Sequence, residues 1–110
     1  MPIYLDEGIA EWYGTLHDAN SPDHPTPLNV SEWPRFFPDV EFRMGESGII
    51  GDRRGETMRE IHDRVEKAME KIIKVNDDAG FTTVIFCVHA ATHICIGRAL
   101  TGDPEVCIFL

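Results

Sequence analysis

The sequence predicts an α/β domain, and three segments carry that expectation. Residues 57–75 hold apolar side chains at Met58, Ile61, Val65, Ala68, Met69, Ile72 and Ile73, the 3.6-residue period of a helix with one buried face. Residues 82–88, Thr-Thr-Val-Ile-Phe-Cys-Val, form a β-branched, nearly continuous apolar run of the kind buried in a parallel sheet. Residues 90–100 then read as a second helix, with Ile94, Ala99 and Leu100 apolar. Helix, buried strand and helix in series point to an α/β sandwich in which the long helix packs on the sheet.

The remaining elements are signalled locally. Pro2-Ile3-Tyr4-Leu5 reads as a short strand closed by the turn signal Asp6-Glu7-Gly8. A chain that begins almost inside a strand is expected to have a segment upstream. Residues 14–52 carry five of the seven prolines and read as a long loop or lid insert, anchored by Trp33, Phe36, Phe37 and Phe42. Within it, residues 30–33 and 35–37 suit short helical turns interrupted by Pro34, which lacks an N–H. Thr57-Met58-Arg59-Glu60 has the S/T-x-x-E form of a capping box, which starts the long helix firmly. Lys67, Lys71 and Lys74 favour its C-terminal dipole, and Glu70 with Lys74 is an i, i+4 pair, so this basic stripe needs no ligand. Residues 77–80 end that helix, Gly102 ends the second, and residues 105–110 start another strand.

Composition narrows the function. At 110 residues the chain has the length of one domain. A net charge of −9 opposes binding to nucleic acid, because phosphate-backbone affinity comes from clustered Lys and Arg. The charge is unevenly spread: residues 1–52 hold ten acidic and two basic side chains, residues 53–110 nine and eight. An anionic substrate would meet a repulsive first half. Cys87, Cys95 and Cys107 form no CxxC pair and read as buried thiols, which implies a reducing compartment, cytoplasmic or nuclear. No membrane span or secretory signal is visible, so a soluble protein is expected.

Few residues could carry chemistry. His89 ends the apolar run and precedes the second helix, where a helix N-terminus offers free N–H groups to an anion. Glu11, in Gly8-Ile9-Ala10-Glu11-Trp12-Tyr13-Gly14, is an acid beside aromatics that could exclude water, a setting suited to a general acid, although an exposed loop carboxylate is the commoner case for such a residue. His89 and His93 have i, i+4 spacing but no third ligand at a recognisable distance, so no metal is expected. His62 falls on the polar side of the long helix, and His17 and His24 lie unclustered in the proline-rich loop.

The acid loop at 8–14, Arg54-Gly55-Glu56-Thr57 and Val88-His89-Ala90, in that order, resemble the histidine phosphatase, or phosphoglycerate-mutase-like, superfamily. The wording of these segments and of Ile96-Gly97-Arg98-Ala99-Leu100-Thr101-Gly102 looks most like a fungal branch that includes the phosphatase-like tau subunit of transcription factor IIIC. The resemblance implies a three-layer sandwich, incomplete at its N-terminus, with Glu11 as leaving-group acid and His89 as the second, phosphate-holding histidine. It also implies a nucleophilic histidine in an Arg-His-Gly motif, which does not occur in this sequence, and neither phosphate-binding arginine has a match. Ala90 replaces the Gly that many relatives carry after the second histidine.

Three readings follow. The chain is a phosphomonoester hydrolase domain, inactive as it stands, whose substrate would be a phosphorylated small molecule or phosphoprotein once the upstream motif is restored. Alternatively it is a non-catalytic interaction module with protein partners in a transcription complex serving RNA polymerase III. The third reading is an unrelated small α/β protein. None requires a cofactor, direct nucleic-acid contact or a membrane.

Overall fold

In a computed structural model, residues 1–103 are described; the strand expected at 105–110 and Cys107 lie outside the described residues. Strand β1 spans Ile3–Leu5 and pairs in parallel with β2, Phe42–Met44, in the register Ile3 with Phe42 through Leu5 with Met44. A parallel pair needs a long crossover, and the proline-rich segment supplies it. Inside that crossover, Val30–Arg35 makes a 3₁₀ helix that contains Pro34 rather than breaking there. Trp33, Phe37 and Phe42 cluster beside β2, with ring centroids 5.5–6.3 Å apart, although Phe37, like Phe36, is exposed.

Helix α1, Met58–Asp78, begins where the capping box requires: Thr57 accepts from the Glu60 N–H at 3.1 Å, and Glu60 accepts in return from the Thr57 N–H at 3.4 Å. Helix α2, Ala90–Thr101, is capped at its start by extended His89 and ends at Gly102, whose φ of 71° suits a residue without Cβ. The core forms between the helices, from Ile61, Val65 and Met69 of α1 and Ala91, Cys95 and Ile96 of α2. The long helix therefore packs chiefly on α2 and on the 3₁₀ turn Glu7–Ile9, not on a sheet. No described helix is long and apolar enough to cross a membrane.

Several expectations are corrected. Residues 82–88 form no strand: Thr82 to Ile85 are exposed, Ile85 at 88%, and only Phe86 and Val88 lean on the core. A β-branched run favours extended chain, but a strand exists only with a ladder partner, and none among the described residues pairs with this one. Cys87 on that run is exposed, while Cys95 is buried as expected. Of the apolar residues expected to face inward, Ile73 of α1 is exposed, as are Ile94 and Leu100 of α2, which turns Ala91, Thr92, Cys95 and Ile96 inward instead. Lys74 pairs with Asp78 at 2.9 Å, one turn beyond itself.

Candidate functional site

The loop that carries Glu11 is fixed from below by polar contacts. Asp6 caps the turn at Glu7–Ile9, accepting from the Gly8 N–H at 2.9 Å. The Ser47 N–H donates to the other Asp6 oxygen at 3.1 Å, and the buried Ser47 hydroxyl donates to the first. Gly8 lies so close to α1 that a Cβ there would sit 2.5 Å from the Ala68 Cβ. The Trp12 indole N–H donates to the Glu56 carbonyl at 2.9 Å, and the Thr92 hydroxyl donates to the Ala10 carbonyl at 2.8 Å. Both helices thus grip the loop.

Arg64 is the centre of that grip. It is 6% exposed; its Nε donates to Glu56 at 2.8 and 3.1 Å, and its two terminal nitrogens donate to the carbonyls of Glu7, Gly8, Ala10 and Glu11 at 3.1–3.4 Å. A guanidinium has five N–H groups in a fixed fork, so it can saturate a carboxylate and a string of carbonyls together. Its position on α1, three residues from Ile61 and between Val65 and the polar face, gives little sign of this in the sequence. The clue is its spacing from Glu56, whose carboxylate precedes α1.

So held, Glu11 projects toward the start of α2. Its Oε1 accepts from the Trp12 N–H at 2.9 Å, and its Oε2 lies 2.8 Å from Nδ1 of His89. The sequence separates these residues by nearly eighty positions; the fold joins them at the mouth of one cleft of about 400 Å³. The acid is not enclosed by its aromatic neighbours, since Trp12 turns toward Glu56 and Glu11 keeps a third of its side-chain surface exposed. His89 is more open, with 63% of its side chain exposed.

The other histidines divide differently from expectation. His24 belongs to the cleft: its ring stacks on Tyr13 at 4.8 Å and its Nε2 lies 2.9 Å from the Gly14 carbonyl. His62 is fully buried in α1, not on a polar face, because it adjoins Ile61 where the helix meets the core. His17 and His93 are exposed. The two cleft arginines are engaged, Arg53 with Glu7 at 2.8 Å and Arg64 with Glu56. Arg54 lies behind the cleft, clasping the carbonyls of Asp18 and Ser21 and pairing with Asp23 at 3.3 Å.

The chain is 29% identical over 104 residues to the transcription factor tau 55 kDa subunit of Saccharomyces cerevisiae, a match that covers 93% of this chain. The chain spans 23% of that protein's length. No protein-family model matches it. The similarity therefore runs through both the Glu11 loop and the α2 start, because a match of that extent leaves out only a few residues of the chain.

Chemically, the site offers a carboxylate, an imidazole and aromatic walls, with its guanidinium groups already neutralised. Such a site can exchange a proton or hold a cation. Among the described residues lining it, Arg64 is fully taken up by Glu56 and four carbonyls, and Arg53 is drawn to Glu7 through one terminal nitrogen, which leaves little positive charge aimed at a phosphate.

Proposed function

We propose that this chain is a non-catalytic assembly domain of a transcription-factor subunit, working in the nucleus through protein partners of the kind found in transcription factor IIIC. The observation that carries the reading is the similarity to a transcription factor subunit along 93% of the chain. The engaged arginines agree with it, for a phosphoryl-transfer site depends on positive charge aimed at the transferring group. The test is co-purification: the protein, tagged and expressed at native level, should elute with the other subunits of transcription factor IIIC and occupy genes transcribed by RNA polymerase III. Elution alone, with no factor subunit in its fractions, would refute the assembly role.

A second reading, a histidine-phosphatase domain in a three-layer sandwich, is favoured by one observation, the approach of Glu11 to His89 at 2.8 Å. It would use Glu11 to protonate a leaving oxygen and His89 to hold phosphate. It needs residues 82–88 covered as a strand and a nucleophilic histidine, and it is tested by hydrolysis of an aryl phosphate.

A further inference from the structure

The cleft beside Glu11 combines an aromatic lining with an unbalanced charge. Tyr4, Tyr13 and Trp33 line it, and the proline-rich crossover from His24 to Asn29 forms one wall. Five carboxylates, those of Asp6, Glu7, Glu11, Asp52 and Glu56, line it against two arginines, Arg53 and Arg64, a net charge of −3 with its histidines neutral. Both arginines already face carboxylates of the cleft, at 2.8 Å each, and Arg64 is buried as well. The imbalance is reinforced from outside, because beyond the lining residues 1–52 hold six further acidic side chains against two arginines, Arg35 and Arg43.

A groove with aromatic walls and surplus negative charge is complementary to a guanidinium or ammonium on an extended backbone. The ring faces attract the cation, and the surrounding carboxylates compensate its lost hydration. A volume of about 400 Å³ accommodates a few side chains, not a folded surface. We propose that the cleft is a docking groove for a basic, arginine-bearing linear segment of a partner protein. This inference rests on the assembly reading and supplies the chemistry of its contact. Glu11 and Asp52 are the specificity-determining carboxylates: among the described residues no arginine pairs with either, Asp52 is exposed, and Glu11 keeps 34% of its side chain exposed beside His89, whereas Asp6, also without an arginine, is taken up by Gly8 and Ser47. Tyr13, at 37% exposure, supplies an aromatic face.

The experiment titrates the full chain with a fluorescein-labelled nine-residue peptide of alternating Arg and Ala, alongside the same peptide with Gln for Arg and one with phosphoserine for Arg. The Arg peptide is expected to bind and to weaken as salt rises, with the other two at least about tenfold weaker because they lack the cation. Glu11→Gln and Asp52→Asn, which preserve shape, should each weaken binding about threefold to fivefold, the upper range for a part-exposed ion pair. Circular dichroism of each variant separates loss of contact from loss of fold. Tyr13→Leu should weaken the Arg peptide without altering its salt dependence. Equal binding of the Gln peptide, tighter binding of the phosphopeptide, or unchanged affinity in folded Glu11→Gln and Asp52→Asn would overturn the proposal. So would binding of free spermine as tight as that of the peptide, since the groove would then take a small polyamine rather than a protein segment. Co-purification with the transcription factor that persists in the double variant Glu11→Gln/Asp52→Asn would remove this groove while leaving the assembly role intact. Failure of the wild-type chain to co-purify would instead remove the assembly role.

Discussion

Replacing Arg64 with methionine is expected to cost this protein a large part of its stability. The guanidinium is 6% exposed and bridges Glu56 to the carbonyls of Glu7, Gly8, Ala10 and Glu11. Methionine keeps much of the apolar stem and removes every donor. Glu56, 7% exposed, would be left as a buried charge without its cation, and removing one partner of a buried pair costs about 3–5 kcal/mol. The orphaned carbonyls add to that, by about 1 kcal/mol or more for any that water cannot reach. Domains of this size hold roughly 5–15 kcal/mol in all, so a loss of at least about 4 kcal/mol should be plain. It should appear in urea unfolding as a lower midpoint and in thermal unfolding as a drop of roughly 15 °C. The double variant Arg64→Met/Glu56→Gln removes the stranded charge and should recover about 1 kcal/mol or more of the combined single losses, because the two residues share one interaction. A single-variant loss under about 1 kcal/mol, or losses that merely add in the double variant, would refute the role assigned to Arg64.

Four further outcomes are expected. Gly55→Ala should destabilise by at least about 2 kcal/mol in urea unfolding, because Gly55 has φ of 91° and an added Cβ would lie 2.1 Å from the Gly14 carbonyl oxygen. Thr57→Ala, which removes the cap that accepts from Glu60, should cost about 1 kcal/mol by the same measurement. Ile85→Lys should change stability by no more than about 0.5 kcal/mol, since Ile85 is 88% exposed; a large loss would show that the 82–88 run is covered, as a sandwich requires. The purified chain should hydrolyse an aryl phosphate no faster than background, and turnover that disappears in His89→Ala would overturn the non-catalytic reading.

What was legible in the sequence is what depends on neighbours within a turn or two. The α1 start at Thr57 follows from one hydroxyl and one carboxylate three residues apart, and the α2 end at Gly102 from a residue free to take positive φ. Pairing between distant segments left no such mark. The β1–β2 ladder joins Ile3 to Phe42 across a proline-rich crossover, and Phe42 stands out in the sequence only as an aromatic in a loop. The run at 82–88 has the composition of a buried strand, yet composition cannot provide the neighbour that would pair with it. His62 was misplaced for a related reason: a helical wheel separates polar from apolar residues, yet His62 is fully buried, and on the same helix the 7–11 loop covers Arg64.

The candidate site shows how that burial bears on chemistry. Glu11 was marked in the sequence by its aromatic neighbours and His89 by its position before a helix, but their contact depends on a loop whose backbone carbonyls converge on Arg64. The same convergence determines the electrostatics of the cleft. An arginine that donates to Glu56 and to four carbonyls cannot also face a ligand, and Arg53 is likewise drawn to Glu7. The interactions that shape the loop therefore offset much of the cleft's fixed positive charge, and Asp52, with Glu11 beside His89, contributes to the potential at its mouth. A phosphate approaching that mouth meets net negative charge, whereas an arginine side chain meets carboxylates and aromatic rings together. The requirement for a rigid loop and the preference for a cationic partner thus have one physical origin, the commitment of Arg64 to the protein's own backbone.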